Sequence, residues 1–197
     1  AVDAATATLG RIAVEQAGLL SQFLADGRAT TDRGMYAPVG EALAATRLYL
    51  DRIATAPSDT HNHDQQRAAM HVLDHQLRLH RRLGQELRIE ALDDEPKLAQ
   101  MARMLARIAT RIVETGDIGA QRDRLGRLQH HYAGNRDSYR AVTITEAATG
   151  AIGADAAMLR LDGIRWLDRV AYHFWRIAVN IGAPAGVEPA DTDDFGD

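Results

Sequence analysis

One stretch near the end of the chain, Leu159 to Ile181 (LRLDGIRWLDRVAYHFWRIAVNI), constrains the fold more than any other. Apolar residues recur there at Leu161, Ile164, Leu167, Val170, Phe174, Ile177 and Ile181. Steps of three and four are the period of a helix with one buried face. At roughly 100° per residue these side chains share one broad sector, and Arg165, Arg169, Tyr172 and Arg176 fall opposite. His173 and Trp166 stand on one border between the faces, Asp168 and Trp175 on the other.

The same period appears five more times. Ala4 to Leu24 carries Leu9, Ile12, Gln16, Leu19 and Phe23 on one face, and Asp26-Gly27 suits a left-handed C-cap. Arg28 to Gly34 reads as polar loop. Pro38 suits the first turn of a second helix with Val39, Leu43, Thr46, Leu50 and Ile53 inward, broken at Pro57-Ser58-Asp59-Thr60. A third helix, Asp64 to Leu87, lines up Met70, Leu73, Leu77, His80, Leu83 and Leu87. A fourth uses Leu98, Met101, Leu105, Ile108 and Ile112 and closes at Gly116. The fifth, Ala120 to about Thr145, turns Leu125, Leu128, Tyr132, Tyr139 and Val142 inward, with Gly134-Asn135 as a candidate kink. With no convincing strand, we expect an all-α fold of six helices.

The helices repeat in two sets. Ile12, Gln16, Leu19, Phe23 and Gly27 match Met101, Leu105, Ile108, Ile112 and Gly116 at a constant offset. Helices three and six share another, pairing Leu73-Asp74 with Leu167-Asp168, Arg82 with Arg176 and Leu83 with Ile177. The expected architecture is two pseudo-repeated three-helix bundles, residues 1–89 and 97–182, divided in the acid-rich stretch Ile89 to Pro96. Residues 183–197, with two Gly, two Pro, four Asp and a Glu, read as a disordered acidic tail.

Composition narrows the function. A net charge of −4 and a pI near 6.1 argue against general affinity for nucleic acid or anionic membrane. The absence of cysteine removes disulfides, thiolate nucleophiles and Cys-based zinc sites, and fits a cytoplasmic protein. No run nears the ~18 consecutive apolar residues of a membrane span. The chain begins at Ala1 rather than Met, and we read it as part of something longer.

Motifs of catalysis are missing: no GxSxG, no GxxxxGK, no GxGxxG after a strand. We therefore expect no enzyme and no cofactor. The histidines at 61 and 63 with Asp64 form a solvated loop that could also take a surface metal; His80 reads as a core histidine. His130-His131 point about 100° apart and cannot share a ligand. Asp74 and Asp168 occupy equivalent places on helices three and six, and with His173 they are the candidate metal ligands. Arg78, four residues after Asp74, also makes a favourable ion pair with it. Arg165, Arg169, Trp175 and Arg176 are the candidate partner contacts.

The stretch LDGIRWLDRVAYHFWRIAVNI resembles the signature helix of the PhoU family, of the type Leu-Glu-Arg-Ile-Gly-Asp-His-Ala-x-Asn-Ile. Leu167, Asp168, Arg169, Val170, His173 and Ile177 fit it, with Asp168 in place of Glu. The form IRWLDRVAYH is most similar to the PhoU-like domain that follows the membrane region of bacterial sodium/phosphate cotransporter family proteins. The resemblance implies two three-helix lobes and a cytoplasmic regulatory role at the membrane face. The implied partner is a transporter domain in cis, a phosphate transport or sensing protein, or a second copy of the chain. A free-standing regulator of phosphate uptake is the alternative, and a helical metal-binding protein using Asp74, Asp168 and His173 is a third reading, from the residues alone. The family's metal clusters sit on acid-xxx-Asp motifs, one per lobe. Here the first acids are Asp74 and Asp168, while Arg78 and Tyr172 stand at the second positions.

Overall fold

A computed structural model describes residues 1–25, 34–53, 60–85, 88–89 and 92–181. Its long helices are α1 (Val2–Ala25), α2 (Tyr36–Leu50), α3 (Thr60–Leu83), α4 (Pro96–Thr115), α5 (Arg122–Ala148) and α6 (Ala154–Ile181), with a 3-10 turn at Gly119–Gln121. Among the described residues there is no strand, and the fold is all-α. The expected stops at Asp26-Gly27 and Pro57-Asp59, the helix-three residue Leu87 and the acidic tail lie outside the described residues.

Local chemistry sets the helix ends. Extended Glu95 caps α4 by accepting the Leu98 N–H at 2.8 Å, Pro96 occupies the first turn, and Gly116 closes the helix at φ 65°. The Glu95 carboxylate also accepts the Tyr139 hydroxyl of α5 at 3.1 Å. Against the expected kink, α5 runs uninterrupted through Gly134-Asn135, where the Asn135 amide donates to the His131 carbonyl at 2.7 Å. Gly150, at φ 74°, makes the turn into α6, which begins at Ala154, ahead of the periodic stretch.

The first three helices pack together, and α6 packs on α5. The halves meet where α1 lies on α4 and α3 lies on α6, the helix pairs that share sequence offsets. One buried cluster runs through both halves. Ile89 and Leu92, within the acid-rich stretch between the halves, belong to it. α1 and α3 are tied by amides: Gln16 donates to the Gln76 carbonyl (2.9 Å) and Gln76 to the Leu9 carbonyl (2.8 Å).

The inward faces of α1, α2 and α4 follow the sequence period closely. α3 is rotated from its expected face. Met70 is 40% exposed and Leu77 only half-buried, while Val72, His75, Gln76 and Leu79 are buried. On α5, Val142 is 57% exposed and Thr143 is buried in its place, donating to the Tyr139 carbonyl. α6 departs furthest from a two-faced helix. Besides its apolar stripe it buries Trp166, Asp168, Ala171, His173, Arg176, Ala178 and Asn180, because α3 and α5 cover it from two sides. No 18-residue window of any described helix is apolar enough to cross a membrane.

Fully buried Leu167 lies at the middle of α6. Truncation to Ala removes its contacts and leaves a cavity, so Leu167→Ala should cost about 2–5 kcal/mol. Exposed Arg165→Ala should stay within about 0.5 kcal/mol. Urea unfolding of both variants checks the contrast, and a near-equal effect would contradict the packing of α6.

Candidate functional site

The seam between α3 and α6 gathers the polar groups of both helices. Trp166 Nε1 donates to the Arg82 carbonyl at 3.1 Å, and His75 Nδ1 faces His173 Nδ1 at 3.1 Å. Residue numbers fall along α3 as they rise along α6, so the helices are antiparallel. Arg176 Nε then donates to His75 Nε2 at 3.4 Å.

These contacts fix the tautomers. A guanidinium can only donate, so His75 Nε2 accepts and the His75 proton sits on Nδ1. That proton is donated to His173 Nδ1, which leaves the His173 proton on Nε2. The result is a buried relay, Arg176 to His75 to His173, in which the His173 imidazole is neutral. Tyr172 meets His75 edge-on, with ring centroids 5.8 Å apart. Burial first, then His75 and the guanidinium groups of Arg82, Arg78 and Arg169, pushes His173 from 6.5 down to about 2.

Asp168 leaves the same helix toward α5. Its Oδ2 accepts from Arg136 Nη1 at 3.2 Å, while Oδ1 has no hydrogen bond. Burial raises the carboxyl above the usual Asp range, against the pull of Arg136, Arg169 and Arg82. A buried ion pair with one unsatisfied oxygen is weak evidence for stability, since desolvation opposes the Coulomb gain. Arg160 and Glu146 form a second α5–α6 pair at 2.8 Å. Trp175 lies over Gly126 of α5, where an added Cβ would stand 3.1 Å from the indole nitrogen, so the helices approach closely.

The three metal candidates go to different partners. Asp74, half-exposed, pairs with Arg78 at 2.9 Å as the i,i+4 spacing suggests. Asp168 turns to Arg136 and His173 to His75. Among the described residues no group of three His, Cys, Asp or Glu is placed to hold a metal ion. Of the partner candidates, Arg165 is exposed beside Asp162 at 3.5 Å, and Arg169 and Trp175 are half-buried. Arg176 does not join the outward arginine face: it is 2% exposed and held within the relay, with its guanidinium 5.9 Å from the Trp175 ring. His80 is half-buried and stacked on Tyr36, with centroids 4.0 Å apart.

Two members of these contacts, His75 and Arg136, carry no mark in the apolar period. The spacing Val72, Gln76, Leu79, Leu83 does place His75 beside a buried edge of α3. Arg136 pairs with a residue 32 positions away, and nothing local announces it.

The depressed His173 has a definite consequence. Between about 2 and 6.5 the unfolded chain binds the proton at this site and the folded chain does not. Its contribution to stability is therefore complete above pH 6.5 and is lost as pH falls below it. One group gives a slope of about 1.4 kcal/mol per pH unit. Urea midpoints measured from about pH 6.5 down to about pH 4.5 should fall more steeply for the native chain than for His173→Gln. Parallel profiles would contradict a neutral His173 in the folded chain.

Comparison with family models, curated proteins and solved structures finds no match to the chain, so the seam is interpreted from its own residues and their geometry.

Proposed function

We propose that the chain is a PhoU-like regulatory domain of a sodium-dependent phosphate transporter, acting by protein contact at the cytoplasmic face of the membrane. The observation that carries this reading is the place of α6, whose sequence resembles the PhoU signature helix. It packs on α3, the helix to which it is matched by sequence offset. The packing of α1 on α4, the other pair matched by sequence offset, supports the same reading.

A regulator that works by contact needs polar and aromatic groups that reach its surface. Arg165 is exposed, Arg169 is half-buried, and Trp175 is half-buried at the edge where α6 meets α5; these are the groups proposed to meet a transporter segment. Arg176 serves the fold instead, and it is not part of the proposed contact surface.

Deletion of the coding segment for this chain, followed by sodium-dependent uptake of radiolabelled phosphate in low and high external phosphate, tests the proposal. The ratio of the two uptake rates should change, while sodium-independent uptake stays constant. Unchanged ratios would contradict a role in phosphate transport. In the gene, the fused form requires several apolar spans of about 20 residues ahead of Ala1, and their absence would leave only the free-standing form.

A further inference from the structure

An open groove of about 340 Å³ lies between α4 and α5. Gly126 faces Trp175 of α6, so Arg124 and Leu128, each two residues away, point around to the other side of α5. The groove is therefore on the outer face of the second half. Met104, Ile108 and Leu128 form an apolar floor, and Arg107, Arg124, Arg127 and His131 stand along the rim. No carboxylate lines it. Arg124 donates to the Gln121 amide at 2.9 Å. Among the described residues, Arg107 and Arg127 make neither an ion pair nor a side-chain hydrogen bond. Some other arginines sit beside acids, as Arg78 does beside Asp74 and Arg160 beside Glu146. Three guanidinium groups around an apolar floor fit an acidic peptide with one large apolar side chain.

The chain contains such a segment. Residues 183–197 carry five acids and no base, so removing them from the net charge of −4 leaves residues 1–182 at +1. The segment's only aromatic residue, Phe195, follows Asp193 and Asp194 and is followed by Asp197. Reach is ample. α6 runs antiparallel to α5, as the Asp168–Arg136 and Arg160–Glu146 pairs show, and it touches the Gly119–Gln121 turn. Ile181 thus ends α6 beside the start of α5, close to Arg124. The 14 residues from there to Phe195 span up to ~46 Å, against a helix diameter of about 10–12 Å to pass around.

We propose that the α4–α5 groove is the docking site of the chain's own acidic C-terminal segment, with Phe195 on the apolar floor and its neighbouring carboxylates on Arg107, Arg124 and Arg127. This inference stands on the groove and the charge distribution, independently of the transport proposal.

The chain has no cysteine, so Gly196→Cys in the full chain gives one attachment point for a nitroxide spin label. The methionine methyl NMR signals then report on the groove. Met104 on the floor should be broadened beyond detection. Met158 stands near the Arg160–Glu146 pair at the far end of α5, on the order of 20 Å along the helix from the groove, and should be unaffected. The Met104 signal should return in about 1 M salt, where the screening length is ~3 Å, and in Arg107→Glu/Arg127→Glu. Both arginines are exposed, so the variant should keep the helical circular dichroism of the native chain. Three outcomes would overturn the proposal: an unaffected Met104 signal, broadening that survives both salt and charge reversal, or broadening that arises only between labelled and unlabelled chains in a mixture.

Discussion

The structure depends on the contact between α3 and α6. Two hydrogen-bonded points set its register: the Trp166 indole on the Arg82 carbonyl, and the His75–His173 pair. They are seven residues apart on each helix, two turns in both, so a slip of one helix along the other would break both together. The histidine pair adds a chemical condition. Two imidazoles can share one hydrogen between their Nδ1 atoms only while at least one Nδ1 is unprotonated, and Arg176 fixes which atom donates. Each buried polar group at the seam is thereby a constraint on alignment, and the apolar side chains around it supply the burial.

Much of this fold is legible in the sequence because an amphipathic helix announces itself. Leu9, Leu43, Leu105 and Leu167 are buried as the three-and-four spacing requires. The same reasoning fails where a helix has neighbours on more than one side. α6 lies between α3 and α5, so its borders are buried as well as its stripe, and Arg176 lies inside the protein on what looked like a solvent face. Its small residues Gly163, Ala171 and Ala178, all buried, are the trace that close neighbours leave in the sequence. α3 shows the same effect. With α1, α2 and α6 around it, Val72 and Leu79 are buried, and Met70 is left outside.

Site chemistry is less legible than the fold, since its partners are remote in the chain. His75 and His173 are 98 residues apart, and Arg176 and His75 are 101 apart. Spacing along one helix cannot predict such pairs. It does predict Asp74 with Arg78, one turn apart on the surface. Asp168 has the opposite character: buried, its carboxyl raised by desolvation, and steadied by Arg136 from α5. The charges around His173 are those of Arg82, Arg78 and Arg169, and a site surrounded by cations favours neutral imidazole over any further positive charge.

The central claim is that the seam makes the two halves unfold as one unit. Both tryptophans lie on α6, Trp166 in the seam and Trp175 against α5, so their fluorescence reports the packing of that helix, while far-ultraviolet circular dichroism reports the helices of the whole chain. Urea unfolding followed by both probes should give one coincident transition. A tryptophan transition at lower urea, with a large part of the helical signal persisting to a second midpoint, would contradict it.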